Sequence, residues 1–469
     1  MHLLVIGGSD GGISAALRAR ELDPDVEVTV VLADAYPNFS ICGIPYYVAG
    51  DVTDWRDLAH RNRVDIESLG IELLTDTTVR NLDTGAHRVS GTGPGGTEVV
   101  IRYDRLVVAT GAVPTRPPIG GLDRLGSADG VHLLHTMADA HAVMDTLGRR
   151  DVSSAVVVGA GYIGVEMAEA LTTRGITVSQ WEVLPEVLPA LDPELGRLVA
   201  AELGAHGVRV ETATRVTGIG RAGRMDARGG ALAVRGTRTV SGEDVEERAD
   251  LVLVVTGVVP DVALAAGAGI AVTAGGAIAV DRSMATSAPD VFAAGDCVVT
   301  HHVLVGETYL PLGTTAHKQG RVAGENALGG DRRFAGSLGT QVVKVFDVVA
   351  ARTGLRDHEA TAAGFRPRTT ASAADDHKAY YPGARPVHVR TTGDEVTGRL
   401  LGVQMVGAIP TAVAKRIDTA ATAIFCGLRV DQLGDLDLSY TPPLGSPWDV
   451  LQAAAHSWAT PTGGAPRSP

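Results

Sequence analysis

Two stretches of this chain run from an apolar strand through clustered glycines into a helical pattern: LLVIGGSDGGISAAL at residues 3–17 and SSAVVVGAGYIGVEMAEAL at 153–171. A bend of that kind exposes backbone N–H groups and a helix N-terminus, the arrangement that cradles a pyrophosphate. Carrying it twice commits the chain to an α/β architecture with two dinucleotide folds. At 469 residues the chain has room for two or three domains. The first turn supplies Gly7, Gly8, Gly11 and Gly12, but Ser9 takes the middle position of G-x-G-x-x-G. Alone, it also reads as a glycine-rich bend with no ligand. The second turn is in full register at Gly159, Gly161 and Gly164, with Tyr162 and Ile163 between the last two. Eighteen residues past Gly164, Glu182 closes ITVSQWE, where an acid accepts the ribose hydroxyls. Glu182 would repel a 2′-phosphate, and VLPEVLP after it offers no arginine, so NADH is favoured over NADPH. The matching acid of the first copy is Asp34, at the end of VEVTVVLAD.

Composition narrows the classes. The chain is 45% hydrophobic and 20% charged, as a globular protein is. A formal net charge of −13 disfavours nucleic acid as a partner. Cys42, Cys297 and Cys426 are too few for a disulfide framework. The chain opens directly as a strand, and no run of about 18 apolar residues predicts a membrane span. The expected location is the cytoplasm. No cysteine or histidine spacing marks a metal site, and His317 is expected to be structural. In TSAPDVFAAGDC (286–297), Gly295 and Asp296 follow a strand, where an aspartate can hold a polyol hydroxyl or cap a helix.

Further segments fall in one order: NFSICGIPYY (38–47), YDRLVVATGAVP (103–114), DLVLVVTGVVP (250–260), PLGTTAHKQGRVAGEN (311–326), GTQVVKVFDVVAARTGL (339–355) and LSYTPPLGSPWD (438–449). With the glycine turns, this set resembles the flavoprotein pyridine nucleotide-disulfide oxidoreductases. Within them it is similar to the single-cysteine branch of coenzyme A-disulfide reductases and NADH oxidases or peroxidases. The resemblance implies tightly but non-covalently bound FAD in residues 1–112 and 249–328, and NAD(P) in 113–248. A C-terminal α+β domain at 329–458 would mediate homodimerisation, followed by a flexible tail at 459–469 rich in Pro, Gly, Ser and Thr. It adds Val79, Ala109, Thr110, Gly111, Gly257, Thr314, Thr315 and Ala316 to the cofactor contacts, and places Glu166 near the nicotinamide. Thr314 begins a predicted helix whose N-terminus would face the flavin ring. Past residue 330, TQVVKVFDVVA and RLLGVQMVG read as strands and KRIDTAATAIFCGL as a helix.

Cys42 stands alone, since Tyr47 occupies the place of a second cysteine in the commonest dithiol spacing. Pro45 suits the first turn of a following helix, whose N-terminus favours the thiolate. Cys297 and Cys426 are read as packed small hydrophobes. A lone thiolate beside a flavin cycles either through a mixed disulfide with a small thiol or through sulfenic acid. Oxidases and peroxidases of the family place a histidine where this chain has Asp10, which favours the disulfide cycle. The coenzyme A-disulfide reductases use tyrosines of the C-terminal domain across the dimer, matching Tyr380, Tyr381 and Tyr440 here. Where that branch carries a serine and an asparagine beside the cysteine, this chain has Asn38 and Ile41. Asn38 and Ser40 are the candidate substrate contacts. Arg18, Arg20, Arg61, Arg63 and the HKQGR segment are candidates for steering an anionic substrate. The expected activity is transfer of hydride from NAD(P)H through flavin to Cys42 and on to a small disulfide or persulfide such as coenzyme A disulfide. An NADH oxidase or peroxidase is the alternative, and a redox-sensing or electron-delivering flavoprotein the reading from another class.

Overall fold

The computed structural model describes residues 1–222 and 231–459. The described chain divides into two compact units. The first comprises Met1–Pro117, Leu133–Asp145 and Thr256–Ser337. Its parallel sheet has strand order Val291–Ala293, Arg105–Val108, His2–Ile6, Glu27–Val31, Ile71–Leu74. The central strands are apolar on both faces because both are covered, and Leu3, Leu4, Val5, Leu106, Val107 and Val108 are all fully buried. On one face the Asp10–Leu22 helix lies against the Gly313–Ala327 helix. The approach is close enough that only glycine fits. A Cβ on Gly320 would stand 2.1 Å from the Gly11 carbonyl oxygen, and one on Gly324 2.2 Å from that of Ala15.

The second unit comprises the described residues of Pro118–His132, Thr146–Val255 and Leu338–Pro469. A second parallel sheet runs Arg209–Glu211, Thr177–Trp181, Ser154–Val158, Leu251–Val254. Leu251–Val254 therefore belongs to the second dinucleotide fold, which corrects the boundary expected at residue 248. The apolar run LVLVV pairs with Ser154–Val158 inside that sheet, with Val131–Leu133 the strand beyond it, and the unit extends to Val255. The C-terminal part of the unit is a five-stranded antiparallel sheet, ordered Gln341–Val345, Val348–Gly354, Leu400–Ala408, Pro386–Asp394, Pro367–Asp375. The segment read as one strand, TQVVKVFDVVA, is a hairpin. Phe346 adopts φ +48° and turns the chain so that Val345 pairs with Val348. The Val413–Phe425 helix buries Val413, Ile417, Ala420, Ala423 and Ile424, one helical stripe.

Ala459, expected to begin a flexible tail, is the last residue of the Val450–Ala459 helix; the rest of that tail lies outside the described residues. Among the described residues no helix is long and apolar enough to cross a membrane. The architecture is mixed α/β, with two Rossmann-like sheets and a separate C-terminal sheet.

The two-glycine approach predicts a packing cost. Gly324→Val should destabilise the protein by about 1–3 kcal/mol through overpacking, read as a lowered melting temperature, while Gly204→Ala, at an exposed position inside the Pro193–Ala205 helix with no atom within 4 Å of the added Cβ, should not.

Candidate active site

The first cradle is built where His2–Ile6 stops. The Gly7 amide donates to the Val31 carbonyl at 2.8 Å, and the Ala109 amide donates to the Ile6 carbonyl at 2.7 Å. Gly7 then turns at φ +119°, and a Cβ on Gly12 would meet the Gly7 carbonyl oxygen at 1.9 Å. The helix can start this close to the strand only because both are glycine. Ser9 is its N-cap residue but makes no side-chain cap bond, so the first amides stay open to an anion. Gly11 packs on the Ala294 carbonyl, which brings the next residues, Gly295 and Asp296, to the same cradle. The Gly295 amide donates to the fully buried Gln319 side chain at 3.0 Å.

Asp296 is mostly buried, and desolvation, then the nearby Asp10 charge, pushes its carboxyl up to about 6. A carboxylate held out of water in this way is suited to accept hydroxyl hydrogen bonds from a ligand. Thr314 is exposed and Thr315 and Ala316 are buried at the start of the Gly313–Ala327 helix, which has no side-chain cap. Thr315 also bonds Ser337. Thr110 donates to the Asp261 carbonyl, and no atom lies within 4 Å of where a Cβ on Gly111 would be. Asp34 accepts from the Tyr36 amide at 2.9 Å, and burial raises its pKa. Val79 sits at a bulge in the Thr78–Asp83 strand.

The cysteine loop is tied directly to this cradle. The Asn38 amide donates to the Gly8 carbonyl at 2.7 Å, the His60 amide to the Asn38 carbonyl at 2.9 Å, and the Ser40 amide to the Leu58 carbonyl at 2.8 Å. Asn38 takes φ +57° and is buried, and its side-chain oxygen has no hydrogen-bond partner among the described residues. A buried orphan acceptor beside a dinucleotide turn fits a ligand that completes it. Cys42 is exposed, in a single 3₁₀ turn, Ile41–Gly43, one step ahead of the Ile44–Ala49 helix that contains Pro45. The helix start expected after Cys42 is present, although it spans only six residues.

Around the loop stands a ring cluster that sequence reasoning missed. Trp55 stacks on Phe39 at 5.4 Å, and Tyr36 and His141 meet Trp55 edge-on at 5.5 and 5.0 Å. In a chain only 4% aromatic this concentration is notable, and the tyrosine and tryptophan flanking NFSICG were its available signal.

The other cysteines differ from one another. Cys297 is fully buried, and burial pushes its thiol up to about 11. Cys426, expected to be packed inside, is exposed. It is the C-cap of Val413–Phe425, where the chain turns outward into Gly427 at φ +73°. Several cations proposed for substrate steering are already engaged. Arg18 pairs with Glu325 and Glu21, Arg321 with Glu21, and Arg63 with Glu67, while Arg20 donates to the Leu69 and Val26 carbonyls.

In the second unit the cradle repeats. Gly159 turns at φ +104°, and a Cβ on Gly164 would stand 2.2 Å from the Gly159 carbonyl oxygen. Gly161 is the N-cap of Tyr162–Thr173, and no atom lies within 4 Å of where its Cβ would be, which leaves room for a phosphate. Glu182 is buried and accepts from the Ala160 amide at 2.7 Å and the Leu184 amide at 2.8 Å. Each carboxylate oxygen keeps a further lone pair for a ribose hydroxyl. Burial pushes the Tyr162 phenol up to about 12. Ile163 and Glu166 follow on the same helix. Gly257 lies in the first unit at φ +103°, where its carbonyl accepts from the Thr115 amide. Farther along the second unit, Tyr380, Tyr381 and Tyr440 are all exposed, and a hydrogen bond to Tyr440 raises the Tyr380 pKa. Tyr381 lies edge-on to His377 at 5.8 Å.

Residues 1–320 match the pyridine nucleotide-disulphide oxidoreductase family, and residues 340–450 match its dimerisation domain. The chain belongs to this family. Members are oxidoreductases that use FAD and a pyridine nucleotide, and the two cradles fit that pair. The chain is 35% identical to the NAD(P)H sulfur oxidoreductase (CoA-dependent) of Pyrococcus furiosus, over 96% of this chain and 97% of the relative. It is 27% identical to the coenzyme A disulfide reductase of Staphylococcus haemolyticus, over 96% of this chain and 97% of the relative. Among solved structures, an NAD-dependent persulfide reductase from A. fulgidus superposes with a TM-score of 0.90 at 37% identity, covering 98% of this chain and 83% of that one.

The raised Asp296 pKa carries a sign. In flavin-free protein the folded state holds this proton more tightly than the unfolded chain, whose ordinary value is 3.8. Asp296 therefore favours folding below about pH 4, and that contribution is lost as pH rises through about 6. The melting temperature of the flavin-free wild type, measured against Asp296→Asn, should fall across that window.

Proposed function

We propose that the protein reduces a small disulfide or persulfide linked to coenzyme A, with Cys42 as the nucleophile and NADH as the electron donor. The observation that carries this reading is the placement of one exposed thiol on a loop whose backbone is bonded to the flavin glycine turn. The first unit's other cysteine, Cys297, is fully buried with a raised pKa and is unsuited to act as a resolving partner. The other half of the disulfide must then come from a diffusible molecule.

The chemistry balances on that basis. The Cys42 thiolate attacks one sulfur of the substrate disulfide, forming a Cys42–substrate mixed disulfide and expelling the other half as a thiolate. FAD held in the first cradle would supply the two-electron relay from NADH; reduction of the mixed disulfide returns the Cys42 thiolate, and a solvent proton completes the second thiol. Gly7, Gly8, Gly11, Gly12, Asp34, Val79, Ala109, Thr110, Gly111, Gly295, Asp296, Thr314, Thr315 and Ala316 would hold the flavin. Gly159, Gly161, Tyr162, Ile163, Gly164, Glu166 and Glu182 would receive the nicotinamide dinucleotide. Asn38 and Ser40 frame the cysteine on the substrate side. The exposed tyrosines, with the matching dimerisation domain, support a homodimer in which Tyr380, Tyr381 and Tyr440 of one protomer serve the thiol of the other. A phenol donating to the departing sulfur stabilises the thiolate. The second glycine fold with Glu182, and the absence of an arginine in the residues after it, support NADH over NADPH.

The test is anaerobic NADH oxidation with coenzyme A disulfide and with coenzyme A persulfide. Turnover should vanish in Cys42→Ser and fall by about 10²-fold in Tyr440→Phe. NADH oxidation that needs air and survives Cys42→Ser would instead establish an oxidase. Equal kcat/KM for NADH and NADPH would overturn the nucleotide preference, and Glu182→Ala should narrow whatever ratio is found.

A further inference from the structure

Three side chains with no part in the sulfur chemistry converge beside the first glycine turn. Asp10, from that turn, His60, from the loop bonded to Asn38, and His317, from the first turns of the Gly313–Ala327 helix, each offer one ligand atom. These atoms all lie within 4.8 Å of one another. His317 Nε2 is 3.3 Å from Asp10 Oδ1, and the two imidazole rings sit edge-on with centroids 6.2 Å apart. We propose that this is a divalent transition-metal site, with two imidazole nitrogens and one carboxylate oxygen as ligands and water completing the shell.

Distance supports the assignment first. Ligands about 2.1 Å from a tetrahedral ion stand about 3.4 Å from each other, and the Asp10–His317 separation of 3.3 Å already has that value. The outer contacts agree. His317 Nδ1 lies 2.8 Å from the Ser14 hydroxyl, so the ring's other nitrogen is the one turned toward Asp10. Metal-bound histidines are oriented by such a bond on their far nitrogen.

The carboxylate points the same way. Asp10 Oδ1 is buried and has no hydrogen-bond partner among the described residues. A buried carboxylate oxygen facing an imidazole nitrogen needs positive charge between them. A proton would serve two groups, and the convergence of a third ligand, His60, calls for a cation. Two imidazoles with one carboxylate suit zinc, cobalt, nickel or ferrous iron better than magnesium or calcium. A bound ion would tie together three segments that are distant in sequence, all within the first unit.

A second cluster, Glu202, His206 and Asp347, provides the comparison. Two of its three members are exposed and only one is an imidazole.

The experiment uses the flavin-loaded protein, stripped with chelator, and titrates it calorimetrically with Zn²⁺. Co²⁺ serves as a visible-absorption probe of the ligand set. We expect one ion per chain, a rise in melting temperature on loading, and Co²⁺ bands of nitrogen and oxygen ligation. His60→Ala, which changes an exposed residue, should abolish saturable binding, and Ser14→Ala should weaken it about 10–100-fold. His206→Ala should leave it unchanged. The flavin spectrum of each variant verifies its fold. Failure of Zn²⁺ to bind, binding indifferent to His60→Ala, or loss of binding in His206→Ala or Cys42→Ser would each overturn the assignment.

Discussion

The hydrogen bond from the Asn38 amide to the Gly8 carbonyl links the first glycine turn to the loop that carries the thiol. Asn38 reaches it only by adopting φ +57°, a left-handed backbone that asparagine tolerates better than most residues. From there the loop is pinned again through the Asn38 carbonyl to His60 and through Ser40 to Leu58. Cys42 follows four residues after Asn38, so its position relative to the cradle is set by short backbone bonds. Redox transfer between a cofactor and a sulfur needs that fixed geometry.

The cradle is also shaped by what it keeps out of water. Gly320 and Gly324 let two helices meet backbone to backbone, which closes the floor under Gly11. Asp296 and Asp10 are held in the partly dehydrated space that results, and each has a raised pKa for that reason. Charge in such a place is costly unless a ligand, proton or ion compensates it. Hydroxyl donors of a flavin would answer the first carboxylate. The histidines, with a cation, would answer the second.

Much of this was legible in the sequence because local rules govern it. Both strand–turn–helix units could be read from glycine spacing, since only glycine allows the contacts of Gly12 with Gly7 and of Gly164 with Gly159. KRIDTAATAIFCGL was readable as a helix, and Ile417, Ala420 and Ile424 within it are buried, although Cys426 near its end was misread as buried. A residue's exposure at a helix terminus depends on where the chain turns next, and the sequence pattern within the helix does not contain that. Asp10, His60 and His317 meet from segments up to about 300 residues apart, and the Tyr36–Trp55–His141 contacts form the same way. Spacing along the chain holds no trace of such encounters. The hairpin turn at Phe346 was missed because bulky aromatics seldom adopt positive φ.

The central claim is that a solitary thiol exchanges electrons with the cofactor while sharing a disulfide with a diffusible partner. Anaerobic titration of the purified yellow protein with NADH, followed by mass spectrometry of the filtrate, tests it most directly. The account predicts uptake of one two-electron equivalent beyond that needed for the flavin, with release of a small thiol. Uptake that stops at the flavin, with no thiol released from protein first loaded with coenzyme A disulfide, would contradict it.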